Sequence, residues 1–194
     1  MGLLVMILGL VLFFGVHTLT TQRDLRARFI ASMGEGGYKI FYALVSLAGL
    51  ALIAWGFAEY RATGWIDVWN PPKAFKHITV ALMLPAVILV VASYLRGRIY
   101  TTLKHPMLAG VKLWAAAHLL ANGDLGSIIL FGSFLAWAVF DRISLKRRPD
   151  AGAPPIPVGG PGNDLIAIAV GVVAYLALAF AFHPVVIGVP VFGA

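Results

Sequence analysis

The sequence predicts an all-α membrane protein, a polytopic bundle of about six transmembrane helices, on three observations. Hydrophobic residues make up 60% of the 194 residues and charged residues only 12%, whereas a typical soluble domain has about 25% charged residues. The mean hydropathy is +0.89. Apolar stretches of roughly 20 residues, the length that crosses a bilayer core of about 30 Å, recur along the chain.

Six stretches meet this length criterion and define the elements in order. They are residues 3–20, 38–60, 75–95, 106–122, 124–141 and 164–183. The first lacks the features of a cleaved signal peptide, so we expect it to remain as a span. Only Asn122, Gly123 and Asp124 separate the fourth from the fifth, where Asn-Gly favours a turn and Asp124 can cap the next helix. We therefore expect a helical hairpin there, since one continuous helix would be too long for the membrane.

The positions of the basic residues predict which side of the membrane each connection lies on. Eleven fall in the first, third and fifth connections and three in the others. The eleven are Arg23, Arg26, Arg28, Lys39, Arg96, Arg98, Lys104, Arg142, Lys146, Arg147 and Arg148, and the three are Arg61, Lys73 and Lys76. Basic residues collect in cytoplasmic loops during insertion, so both termini should lie on the non-cytoplasmic side. The same bias accounts for the net charge of +7 without nucleic acid as a partner.

Two connections carry further information within what we expect to be a single domain, residues 1–194. Between the first two spans, Leu25, Phe29, Ile30 and Met33 fall near helical spacing. This spacing predicts a short helix in the membrane interface, with a solvated basic loop as the alternative. The loop of residues 147–163 is rich in Pro and Gly, which is typical of a flexible or extended linker.

Few side chains in or near the spans can ionise or bind a ligand. They are His17, His77, His105, Lys112, His118, Asp124 and His183. Each is costly in lipid and should face the bundle interior. Five His without any Cys suit haem better than a hard cation, because neutral imidazole binds iron, zinc or copper. The alternative for a single membrane histidine is a hydrogen bond between helices.

The depth of each histidine follows from the rise of about 1.5 Å per helical residue. This estimate groups His77, His118 and His183 near the outer face, and His17 with His105 near the inner face. His118 is the strongest candidate for a metal ligand. His105 precedes a proline at a helix start and can anchor there, while His77 and His183 lie near span ends, as interface residues do.

One stretch of sequence resembles a known family. The residues Lys104-His105-Pro106-Met107-Leu108-Ala109-Gly110-Val111-Lys112-Leu113-Trp114 and Ala117-His118-Leu119-Leu120-Ala121-Asn122-Gly123-Asp124 resemble the signature of the NnrU family, as do Gly15-Val16-His17-Thr18 and Tyr38-Lys39-Ile40-Phe41-Tyr42. The family takes its name from an association with nitrite and nitric oxide metabolism. This resemblance implies a multi-pass protein of the bacterial inner membrane with a role in denitrification.

The NnrU family is similar to plastid zeta-carotene isomerase, a membrane enzyme that uses haem b. Carried over by motif, the resemblance implies haem b held by His118 and His17, with an apolar substrate among the membrane lipids. Lys112 is a candidate partner for a haem propionate. The isomerase has a cysteine three residues before its second ligand, where this chain has Ala115, so the resemblance implies no ligand exchange by cysteine.

Three functions follow as expectations. The first is a haem-binding redox or isomerase-type factor. The second is a non-enzymatic partner or assembly factor for a respiratory complex. The third is a lipid-modifying methyltransferase, because His105-Pro106 with Gly110 is similar to an element of isoprenylcysteine methyltransferases, although Lys104 stands where those enzymes have arginine.

Overall fold

The computed structural model describes residues 1–148 and 158–192. Within these residues the chain forms seven α-helices and one π-helical segment. The helices are α1 (Gly2–Leu19), α2 (Arg23–Thr63), α3 (Lys73–Ala92), α4 (Arg98–Leu103), α5 (Pro106–Ala121), α6 (Leu125–Arg147) and α7 (Gly162–Ala177), and α7 continues into the π-helical segment Leu178–Ile187. The all-α prediction is confirmed.

Five of the described helices are long and apolar enough to cross a membrane. They are α1, α2, α3, α6 and the combined helix Gly162–Ile187. All six predicted stretches are therefore helical, but α5 has 16 residues, fewer than the roughly 20 that span a bilayer core. Large apolar side chains such as Leu4, Trp55 and Val173 are about two-thirds exposed, as expected for surfaces that contact lipid. The orientation of the termini stays a prediction.

The connection between the first two spans is helical, as the spacing of its apolar residues predicts. Helix α2 begins at Arg23 and is interrupted at Gly34, which has φ 73° and ψ 165°. Only glycine adopts this backbone conformation without strain, so Gly34 separates the short N-terminal helix from the span. The alternative of a basic loop is wrong, whereas a position in the membrane interface stays a prediction.

The helical structure is interrupted between α5 and α6, as predicted. Helix α5 ends at Ala121, and Asp124 is the N-cap of α6, with its Oδ1 accepting a hydrogen bond of 2.8 Å from the Ser127 N–H. The peptide N–H of Leu125 also donates to the Ile66 carbonyl. These bonds satisfy amide groups that the start of a helix would otherwise leave unpaired.

The chain divides into two compact units. The described residues of the first are 1–70 and 123–148, in which α1 packs mainly along α2 and both contact α6. Glycines form the contact between α1 and α2: a Cβ on Gly9 would lie 2.6 Å from the Ile53 nitrogen, and one on Gly49 would lie 2.8 Å from the Phe13 nitrogen. Such close backbone approach is typical of membrane helix pairs, in which van der Waals packing drives association.

The described residues of the second unit are 71–122 and 158–192. Helix α3 packs against both α5 and α7. The Thr79 hydroxyl donates a 2.7 Å hydrogen bond to the Ala117 carbonyl on α5, and the Tyr175 hydroxyl of α7 donates a 3.2 Å bond to the Val80 carbonyl. Backbone groups within a helix already bond to each other, so these side-chain hydroxyls supply the hydrogen bonds that link α3 to both of its neighbours.

Most of the Pro/Gly-rich linker predicted at residues 147–163 lies outside the described residues. Its described end returns to the start of α4. The Gly159 N–H donates to the Arg96 carbonyl, and the Asp164 carboxylate accepts from the peptide N–H groups of Arg98 and Ile99 at 2.8 and 3.0 Å. Asp164 thus caps α4 from a distant part of the chain.

Candidate functional site

His118 lies on α5 and is half-buried. Its Nδ1 is 2.9 Å from the Trp114 carbonyl oxygen one turn earlier. A carbonyl can only accept, so we assign the proton to Nδ1, and the neutral ring then carries its lone pair on Nε2. An imidazole held in this way by a carbonyl has the tautomer and orientation of a typical metal ligand.

His183 lies beside His118. The two ring centroids are 6.2 Å apart with an angle of 32° between the ring planes. His183 belongs to the π-helical segment, which contains Pro184 and ends at Gly188, a residue with φ 74° whose N–H donates to the His183 carbonyl. Proline has no N–H to donate to the helical ladder, and the wider π turn is a feature that occurs frequently at functional sites.

Two cavities adjoin this histidine pair. The smaller, about 80 Å³, is lined by Thr79, Val80, Met83, Val87, His118, Tyr175, Leu178, Ala179, His183 and Val191. The larger, about 290 Å³, is lined by Met83, Ala86, Val87, Val90, Val111, Trp114, Leu178, Phe182 and His183. Both lie within the second unit and share four residues, including His183.

The walls of these cavities are largely apolar. The hydroxyls of Thr79 and Tyr175 already donate to backbone carbonyls, so the imidazoles of His118 and His183 are the groups suited to ligate a metal. Apolar walls with a few placed polar groups are characteristic of cofactor sites, which usually measure about 300–1,000 Å³. The larger cavity, at about 290 Å³, lies just below that range and shares four lining residues with the smaller one.

The donor set suits haem better than a bare metal ion. Among the described residues no group of three or more His, Cys, Asp or Glu side chains could hold an ion. Two imidazoles leave the tetrahedral shell of a structural zinc incomplete. Haem iron already has four nitrogens from its macrocycle and takes protein ligands at the axial positions. The residues present therefore fit haem.

His17 lies in the first unit, near the end of α1. Its Nδ1 is 2.7 Å from the Phe13 carbonyl oxygen, the same local bond that His118 makes. Aromatic rings surround it: Phe13 is stacked at 4.0 Å between centroids, Tyr42 lies at 5.1 Å, and Trp137 meets it edge-on at 5.5 Å. The structure thus places His17 and His118 in different units, each with its own neighbours.

The other candidates lie apart from the pair of imidazoles. His77 is exposed in the first turns of α3, and His105 is the N-cap residue of α5, although its side chain makes no capping hydrogen bond. Lys112 is half-buried on α5 and does not line either cavity. The Asn122 side chain donates to the backbone carbonyl of His118, at 2.8 Å, and so fixes the end of α5.

The sequence grouped His183 with His118 by depth but predicted an interface residue there. His183 lies near the end of a predicted span, where an interface residue is the simplest interpretation. The neighbouring Pro184 and Gly188 were the available signal, because together they disturb the regular helix next to a histidine.

Comparison with known families agrees with this reading of the sequence. The model of the family described as NnrU protein matches residues 5–191, nearly the whole chain. The chain belongs to the NnrU family. No curated protein and no solved structure shows significant similarity to this NnrU-family chain.

Proposed function

We propose that this NnrU-family membrane protein binds haem b with His118 as an axial ligand, and that it acts in the bacterial inner membrane as a redox or isomerase-type factor linked to nitrite and nitric oxide metabolism. One observation carries the proposal. His118 lines an apolar cavity while its Nδ1 lies against the Trp114 carbonyl, an arrangement that assigns the lone pair of the neutral ring to Nε2, as in a typical metal ligand.

The surroundings of His118 support a large apolar cofactor. Met83, Val87 and Leu178 line both cavities and would contact the faces of a macrocycle, excluding water from the iron. A low local dielectric of this kind is one of the means by which a protein sets a haem potential.

Lys112 does not line either cavity, and it is the candidate for contact with the polar edge of the proposed cofactor. It lies six residues before His118 on α5, a distance of about 9 Å along the helix axis. A lysine side chain can extend from an apolar surface to a charged group. We propose that Lys112 neutralises a haem propionate.

The proposed activity divides between cofactor and protein. Haem supplies electron exchange, or polarisation of a double bond in an apolar substrate, when it is bound. His118 would hold the cofactor, the Trp114 carbonyl orients its imidazole, and the apolar walls would accept a substrate that partitions into membrane lipid.

The absorbance spectrum of the purified protein tests this function. Protein expressed with sufficient haem and purified in detergent should show a Soret band, and His118→Ala should lose most of the bound haem. The matched control is His77→Ala, which removes an exposed imidazole from the same unit and should retain its haem. Wild-type protein without a Soret band contradicts the proposal, and unchanged haem in His118→Ala contradicts the assignment of the ligand.

A further inference from the structure

We infer that His183 supplies the second axial ligand of the haem, opposite His118, so that both protein ligands come from the second unit. The resemblance assigns that position to His17 instead. The inference rests on the proposed haem function and deepens it, because it names a ligand that the family motifs do not contain.

The separation of the two rings is the first argument. Two imidazoles that share one metal ion, with metal–nitrogen bonds of about 2.0–2.1 Å, place their ring centres about 6 Å apart. The centroids of His118 and His183 are 6.2 Å apart. The centroid spacing therefore matches that of two imidazoles on opposite sides of one metal ion.

The lining of the cavities is the second argument. His118 lines the smaller cavity, while His183 lines both. Met83, Val87 and Leu178 are likewise common to both linings. A flat macrocycle bound between the imidazoles would thus lie against a continuous apolar surface that α3 and the π-helical segment provide.

The π-helical segment is the third argument, because it accounts for the position of His183. Tyr175, Leu178 and Ala179 precede His183 and line the same cavity. The segment begins at Leu178, and Pro184 directly follows the histidine. The wider turn keeps His183 on the cavity side at the point where proline prevents regular helical bonding.

His17 has different surroundings. The Phe13 ring is stacked on its imidazole at 4.0 Å, and Tyr42 and Trp137 flank it. These contacts stabilise the imidazole by packing within the first unit. This packing accounts for a histidine at position 17, and no bound metal is needed to explain it.

Axial ligation is tested by the spin state of the bound haem rather than by activity. Wild-type protein should show the spectrum of six-coordinate, low-spin haem with two imidazole ligands. His183→Ala should retain haem through His118 but lose the low-spin component, becoming five-coordinate and high-spin, and added imidazole should restore the low-spin spectrum. His17→Ala and His77→Ala should keep the wild-type spectrum.

A second variant covers the case in which His183→Ala fails to fold. His183→Met keeps a long side chain that can ligate iron, and it should replace the bis-imidazole spectrum with that of a histidine–methionine pair. A low-spin spectrum unchanged in both His183 variants, or lost in His17→Ala, overturns the inference while leaving haem binding intact. Wild-type protein without haem overturns the proposed function itself.

Discussion

The two units contain the same local histidine arrangement in opposite surroundings. His17 and His118 each place Nδ1 against the carbonyl oxygen of the residue four positions earlier. Around His17 the neighbours are aromatic rings, of which Phe13 is stacked on the imidazole. His118 lines an apolar cavity with a second imidazole beside it. The bond within one helix is therefore the same for both histidines, and their surroundings on neighbouring helices differ.

Both units have glycine contacts between helices, and the second adds side-chain hydrogen bonds. In the first unit, glycines bring the backbones of α1 and α2 into direct contact. In the second, side-chain hydroxyls of Thr79 and Tyr175 bond carbonyls on adjacent helices. In the second unit the hydroxyl bonds act together with the glycine contacts, and the helices pack around a cavity.

The largest expected effect comes from filling the glycine contact of the first unit. In Gly9→Leu, the new side chain would meet the backbone of Ile53, and α1 could no longer approach α2. We expect loss of the folded, monodisperse protein in detergent, measured by size-exclusion chromatography and thermal unfolding.

The control for this change is Gly15→Leu on the same helix, where a Cβ would meet nothing within 4 Å. It should elute and unfold like the wild type. Equal behaviour of the two variants would show that the glycine contact does not hold the first unit together.

A smaller effect is expected from filling the cavity of the second unit. Val87 lines both cavities and is 9% exposed, so Val87→Phe should exclude haem and cost about 1–3 kcal/mol through overpacking. The measurement is the ratio of Soret to protein absorbance, together with the unfolding temperature. Val170→Phe, at a position of α7 that is 46% exposed, should change neither, and full haem content in Val87→Phe would argue against this cavity as the site.

The smallest effect is expected where the second unit caps α4. Asp164→Ala removes the acceptor for the N–H groups of Arg98 and Ile99 and should destabilise the fold by about 0.5–2 kcal/mol. Asp164→Asn keeps one acceptor oxygen and should lose less. The unfolding temperature should fall from the wild type to Asp164→Asn and fall further to Asp164→Ala. An unfolding temperature of Asp164→Ala equal to the wild-type value would contradict this prediction.

The helices themselves were largely predictable. The predicted stretch of residues 3–20 became α1 (Gly2–Leu19), and the turn before Asp124 became the start of α6. The length of α2 was not predicted, because Gly34 interrupts the helix without ending it. The π-helical segment was also missed, since its apolar residues have the same composition as those of a regular span.

The candidate site was predictable only in part. His118 followed from its position within a span and from the family motif. The depth estimate grouped His183 with it near one face, but the adjacency of the two rings did not follow from the sequence. The separation into two units was not foreseen either, because the sequence read as one run of similar apolar spans. Within the second unit, the docking of α5 and α7 on α3 depends on close contacts such as Gly110 against the Ala86 carbonyl and Gly171 against Ile88.

The sequence by itself determined an all-helical membrane protein with few ligating side chains. Lipid offers no hydrogen-bond partners, so apolar stretches of sufficient length must satisfy their backbone groups as helices. The tertiary structure decided which histidine stands beside His118. That choice depends on where α5 and α7, which continues into the π-helical segment, pack on α3. Interhelical packing of this kind arises from shape and close contact that linear spacing does not encode.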